Sequence, residues 1–178
     1  GGAITTGVLT AAVAVGAFLS SLFSGPIGRV RRHGLGIERA VIAYGAAILA
    51  FGLVLTAAAL GWFAPAQLDE HSANIVLIVV AALLLAVSGA ADNISAIYRS
   101  TMMQSAVPDA IRGRLQGIFI VVVAGGPRVG ALYAGALATV TALWFPPLLG
   151  GVIIMGLVAF LVRLHPRFRA YDALHPEP

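Results

Sequence analysis

From the first residue, long charge-free stretches alternate with short arginine-bearing ones. A helix needs roughly 20 mainly apolar residues to cross about 30 Å of hydrocarbon. Residues 1–28 carry no charge, and their apolar part covers about 7–24. Residues 40–68 are also charge-free and hold a span over 40–62, and a third span, 74–97, carries Asp92 near its end. From Leu115 to Val162 only Arg128 is charged. That stretch is too long for one helix and right for two, 117–140 and 146–163, with a turn near Thr141–Pro147. The pattern predicts an all-α, polytopic membrane helix bundle of five transmembrane helices over residues 1–165, followed by a polar tail at 166–178. The first stretch is not a secretory signal, because it lacks a positive start and runs into arginines instead of a cleavage site.

Composition sharpens this picture. Of 178 residues, 60% are apolar and 10% charged, against about 25% charged in an ordinary soluble domain. The mean hydropathy is +0.97. So few charges cannot shield that much apolar surface, so a soluble domain is excluded. The basic residues number 11, all of them arginine, against 7 acidic ones. A nucleic-acid partner would need a basic face on a soluble module, whereas these arginines sit between apolar stretches, so none is expected. With no cysteine, thiolate sites and disulfides are excluded. His33, His71, His165 and His175 lie in polar segments without ligand spacing and read as solvated loop residues. Neither metal nor cofactor is expected.

Short cytoplasmic loops retain arginine and lysine, which orients the spans. Arg29, Arg31, Arg32 and Arg39 fall between the first two spans, Arg99, Arg112 and Arg114 between the third and fourth, and Arg163, Arg167 and Arg169 after the fifth. The alternate segments have none. This places the C-terminus in the cytoplasm, as expected of a multi-pass protein of the cell (inner) membrane, with the start of the chain outside. Gly1-Gly2 opens the chain beside a span, so a preceding helix crossing from the cytoplasm is expected, as in the carboxy-terminal part of a longer protein. Trp62 and Trp144, at predicted outer ends, suit the aromatic belt of the interface.

Two cytoplasmic loops carry patterned residues. The first includes Gly25, Gly28, Arg29, Arg31 and Arg32; glycines permit a tight reversal, and guanidiniums reach helix C-termini or carboxylates. A plain positive anchor is the simpler alternative. In the second loop, Pro108 and Asp109 suit a helix start, with the acid at the positive dipole end. Arg112 lies one turn on, able to meet Asp109, Gly113 allows a bend into the fourth span, and Arg114 follows.

The pattern Pro108-Asp109-x-x-Arg112-Gly113-Arg114, the glycine–arginine loop at 25–34 and the order of spans resemble the carboxy-terminal half of a major facilitator superfamily transporter, closest to its drug- and siderophore-export branch. On that family the five spans would be helices eight to twelve of twelve. The resemblance implies a secondary active exporter working by alternating access, with small amphipathic substrates, protons as the coupling species, the lipid bilayer as its medium, and a missing N-terminal transmembrane half as its partner. The first loop departs from the family motif, because its acidic position is absent.

Within the spans, ionisable groups are costly and mark interior positions or water paths. Arg128 lies about 11 residues into the fourth span, roughly 16 Å along it, within Ala124-Gly125-Gly126-Pro127-Arg128-Val129-Gly130. Pro127 removes a helix hydrogen bond, Gly126 and Gly130 form a small-residue pair, and together with Gly125 they predict a helix break with a cation at it. The alternative is an arginine that snorkels or pairs structurally. Asp92, followed by Asn93, is placed near the cytoplasmic boundary, with Arg99, the loop arginines and Arg128 as possible partners. Tyr44 and Tyr133 are candidates to line a substrate path or to pack. A membrane enzyme would need a convergent catalytic set at one depth, and no such set is present, so no enzyme is expected. A non-catalytic membrane anchor or assembly subunit is the alternative to transport.

Overall fold

The structure, a computed structural model, describes residues 2–25, 32–62 and 74–165. It is all-helical over these residues: α1 (Gly2–Leu22), α2 (His33–Ala59), α3 (Ile75–Ala106), α4 (Asp109–Val140) and α5 (Phe145–Leu164). All five are long and apolar enough to cross a membrane. The tail at 166–178 lies outside the described residues, as do Gly28, Arg29 and Arg31 of the first loop.

Local chemistry sets the helix ends. Asn74 caps α3, its side-chain oxygen accepting from the backbone N–H groups of Val76 at 3.1 Å and Leu77 at 3.3 Å, which satisfies donors that a first helical turn leaves free. Pro108 occupies the cap position of α4 and Asp109 opens it. Prolines open α5, where their missing N–H costs nothing, so Pro146 and Pro147 belong to the helix instead of the turn. At the end of α2, Gly61 adopts φ +78°. This lets Gly61 donate to Ala58 and Trp62 donate to Ala57, each at 3.1 Å, a paired closure that needs a residue free to turn left-handed.

Four helices begin or end well beyond the hydropathic spans. α1 starts at Gly2 instead of 7, α2 starts at His33 instead of 40, α3 runs to Ala106 instead of 97, and α4 starts at Asp109 instead of 117. A charged or polar residue does not end a helix; it only ends an apolar run. At 1.5 Å per residue, α3 and α4 are each roughly 48 Å long, well beyond the hydrocarbon thickness. Gly113 therefore lies inside a continuous helix.

α1, α3, α2 and α5 pack side by side in that order, and α4 touches only its chain neighbours α3 and α5. Glycines make the row close-packed. A methyl group at Gly16 of α1 would overlap the Ala86 carbonyl of α3, and one at Gly89 would overlap the Val13 carbonyl. On α2, Gly45 and Gly52 face α5 at Gly151 and Leu148. With lipid tails as apolar as leucine, helices associate through such close van der Waals contact and through interhelical hydrogen bonds. Asn93 supplies the latter, its side-chain amide donating to Ser20 at 2.9 Å and Ser21 at 3.0 Å.

Candidate functional site

The arginine-bearing ends of the helices come together. His33 of α2 meets Tyr98 of α3 edge-to-face, with ring centroids 5.4 Å apart. Ile37 and Glu38 of α2 share a cleft with Val162 of α5 and with His165 just beyond it, and Arg112 of α4 donates to the Val107 carbonyl at 3.1 Å. Among the described residues Arg32, Arg39, Arg99, Arg112, Arg114 and Arg163 belong to these ends, and Arg128 alone lies far along a helix.

Among the described residues, the ion pairs Asp109–Arg112 and Asp92–Arg99 organise this end. Arg112 and Asp109 pair at 2.6 Å one turn apart, as their spacing predicts. Arg99 reaches Asp92 at 3.4 Å and the Ser95 carbonyl at 3.3 Å. Of the partners open to Asp92, the structure thus selects Arg99, two turns along the same helix, and Tyr44 of α2 lies within electrostatic reach of that carboxylate. Asn93, one residue on, points to a different neighbour and is spent on the α1–α3 contact. Gly25 follows the end of α1 and is exposed, and Arg32 precedes α2 as its cap residue.

Arg128 makes no ion pair among the described residues. Its guanidinium folds back to donate to the Ala124 carbonyl at 3.0 Å. Counted from the α3–α4 link, Asp92 lies 14 residues back from Ala106 and Arg128 lies 19 residues on from Asp109, roughly 21 and 29 Å along their helices. The two charges sit at different levels.

The helix break expected at Gly125, Gly126, Pro127 and Gly130 is corrected: α4 is continuous with Pro127 inside it. Proline deletes its own N–H and crowds the carbonyl four residues back, but the surrounding turns keep the ladder, and a charged donor from Arg128 covers the carbonyl next along. Continuity also separates the motif. At 100° per residue, Gly126 and Gly130 lie about 160° around the helix from Arg128, so the glycine pair and the cation serve opposite faces. Tyr133, 40% exposed, lies about 140° from Arg128. Arg128 instead shares its own face with Gly113, Gly117, Ala124, Ala131, Gly135 and Ala138, spaced by threes, fours and sevens. No residue of α4 is buried, and none of its six glycines has a neighbour within 4 Å of where a methyl group would stand.

Three buried polar groups escaped the reading of the sequence. His33 is 2% exposed, Ser95 1% and Glu38 6%, and both His33 ring nitrogens and the Ser95 hydroxyl lack hydrogen-bond partners among the described residues. His33 is thus a buried helical residue, not a solvated loop residue. A usable signal was available: His33, Ala40 and Ala47 recur every seven residues, as do Glu38, Gly45 and Gly52, and all six are buried. Each series is a helix stripe that continues the apolar pattern back into the arginine loop.

The described residues hold no group of three or more side chains able to ligate a metal. Comparison of the chain with protein-family models, with curated proteins and with solved structures finds no match.

Proposed function

We propose that this chain is the C-terminal part of a secondary active transporter, a proton-coupled exporter of small amphipathic molecules of the drug or siderophore type that works by alternating access. The observation that carries this reading is α4: a membrane-length helix with no buried residue and a stripe of small residues running alongside Arg128. Lipid does not call for a mid-helix cation or for a row of glycines and alanines, whereas a second helical bundle does. A charge in the hydrocarbon centre costs at least about 2.5–3.5 kcal/mol, and a position between two bundles, on a water-lined path, relieves that cost. The positive-inside distribution supports a multi-pass orientation in the inner membrane with a cytoplasmic C-terminus, and the resemblance of Pro108-Asp109 through Arg114 to the superfamily loop motif supports the class.

In this reading Arg128 lies on the substrate or coupling path. Asp92, paired to Arg99 at 3.4 Å, latches the arginine-bearing end, and the Asp109–Arg112 pair fixes the start of α4. The test is efflux from vesicles carrying the full-length protein: Arg128→Ala abolishes export while insertion is retained, and Asp92→Asn alters its pH dependence. Export unchanged in Arg128→Ala refutes the role of Arg128.

The bare face of α4 fits equally a non-catalytic membrane anchor or assembly subunit that docks a partner helix there. In that case vesicles show no efflux with the wild-type protein either, and Arg128→Ala disrupts co-purification of the partner.

A further inference from the structure

A cleft of about 850 Å³ lies between α2 and α3, away from α4. Its lining runs from Arg32 to Ala43 on α2 and from Tyr98 back to Val87 on α3, eleven residues of rise on each helix and roughly 17 Å in length. One end is cationic: Arg32 and Arg39 both line it, both are exposed, and neither forms an ion pair with a carboxylate among the described residues. Glu38, the one acidic residue of α2, lines the opposite cleft against α5. Toward the other end the walls are small and apolar. Ala43, Ala90 and Ala91 line it there, and Val87, 54% exposed, opens the cleft to the surroundings, while at the cationic end the Tyr98 ring packs where a methyl group at Gly36 would be.

We infer that this cleft is a binding site for an anionic phospholipid, with its phosphate between Arg32 and Arg39 and an acyl chain lying along Ala90 to Val87. Three properties select that occupant. Two arginines free of carboxylate partners among the described residues complement a phosphate, and basic pockets between transmembrane helices on the cation-rich side of a membrane protein hold anionic headgroups. The length of roughly 17 Å matches one leaflet of a hydrocarbon core about 30 Å thick. The volume lies within the range of ligand sites, about 300–1,000 Å³, while the mouth at Val87 stands at the level where lipid tails would be. None of this depends on the chain being part of a transporter.

The experiment is lipid retention by the full-length protein, reconstituted in an equal mixture of dioleoylphosphatidylglycerol and dioleoylphosphatidylcholine, extracted in mild detergent and analysed by native mass spectrometry. The wild-type protein retains phosphatidylglycerol about ten-fold over phosphatidylcholine. R32Q/R39Q abolishes that preference, R32K/R39K keeps most of it, and V87W, which fills the open end, lowers retention of both lipids. R114Q/R163Q removes the same charge elsewhere on the arginine-bearing end and leaves the preference intact. Equal retention of the two lipids by the wild-type protein overturns the inference, and so does an R114Q/R163Q variant that loses the preference as fully as R32Q/R39Q.

Discussion

Gly16 on α1 and Gly130 on α4 are the same residue in two apolar helices, yet they do opposite things. Gly16 lets α1 and α3 approach until backbone meets backbone, and a methyl group there would overlap the Ala86 carbonyl. Gly130 looks onto open space. The same contrast holds for the polar residues. Asn93 is tied to Ser20 and Ser21 across a helix boundary, while Arg128 among the described residues bonds only to its own helix. The row α1–α3–α2–α5 has used its small and polar residues for internal association, and α4 holds the same kinds of residues in reserve. In a membrane, where apolar surface alone gives helices no reason to associate, small residues are what let two helices approach closely, and those of α4 meet no neighbour among the described residues.

The sharpest way to break that contrast is to place leucine at both glycines. Gly16→Leu costs about 3 kcal/mol or more, the upper end of overpacking, while Gly130→Leu leaves folding of this chain unchanged or gains up to about 1 kcal/mol of helix propensity. Unfolding in mixed micelles followed by circular dichroism reads both, and equal losses would remove the distinction between the helices. Arg128→Leu comes next. Because Arg128 has no ion partner among the described residues, its replacement favours insertion of α4 by about 3 kcal/mol, read by a glycosylation-mapping insertion assay; a smaller gain means that the guanidinium already has a partner.

On the packed side, Asn93→Leu loses about 0.6–1.7 kcal/mol, the range for interhelical hydrogen bonds in membranes, and Ser20→Ala with Ser21→Ala reproduces it non-additively in a double-mutant cycle. The smallest effect belongs to Asp109→Asn. It removes the pair with Arg112 at 2.6 Å and weakens the start of α4 by about 0.5 kcal/mol, visible as faster hydrogen exchange at Ile111 and Arg112, whose amides bond to the Pro108 carbonyl.

The five helices were legible because the signal for a span is a length of uncharged chain, and Arg128 interrupts only one of those lengths. The Asp109–Arg112 pair was legible because it is local, set by helix pitch alone. Burial was harder. Glu38 and His33 sit among arginines, and hydropathy averages assign such a stretch to a loop, although the seven-residue recurrence through Gly45, Gly52, Ala40 and Ala47 belongs to a helix that had already begun. The break at Pro127 was over-read, since proline in a long helix removes one donor and the neighbouring turns can keep their bonds. Gly126, Arg128 and Gly130 are close in sequence but do not share a face, because two residues along a helix is more than half a turn around it. The pairing of Asp92 with Arg99 was one of several open options, which only three-dimensional packing decides.

The links of α4 have a consequence for motion. Two residues, 107 and 108, join it to α3, and four, 141–144, join it to α5. Three and five Cα–Cα steps of at most about 3.8 Å each let those leashes reach roughly 11 and 19 Å. α4 therefore cannot swing out, slide by several turns or exchange places with a neighbour. It can rock between two anchored ends, carrying the last turn of α3 and the first turn of α5 with it. Whatever comes to lie against Arg128 meets a face whose position is set by the rest of the chain, and a push on that face is delivered at one end to the two ion pairs and at the other to the prolines of α5.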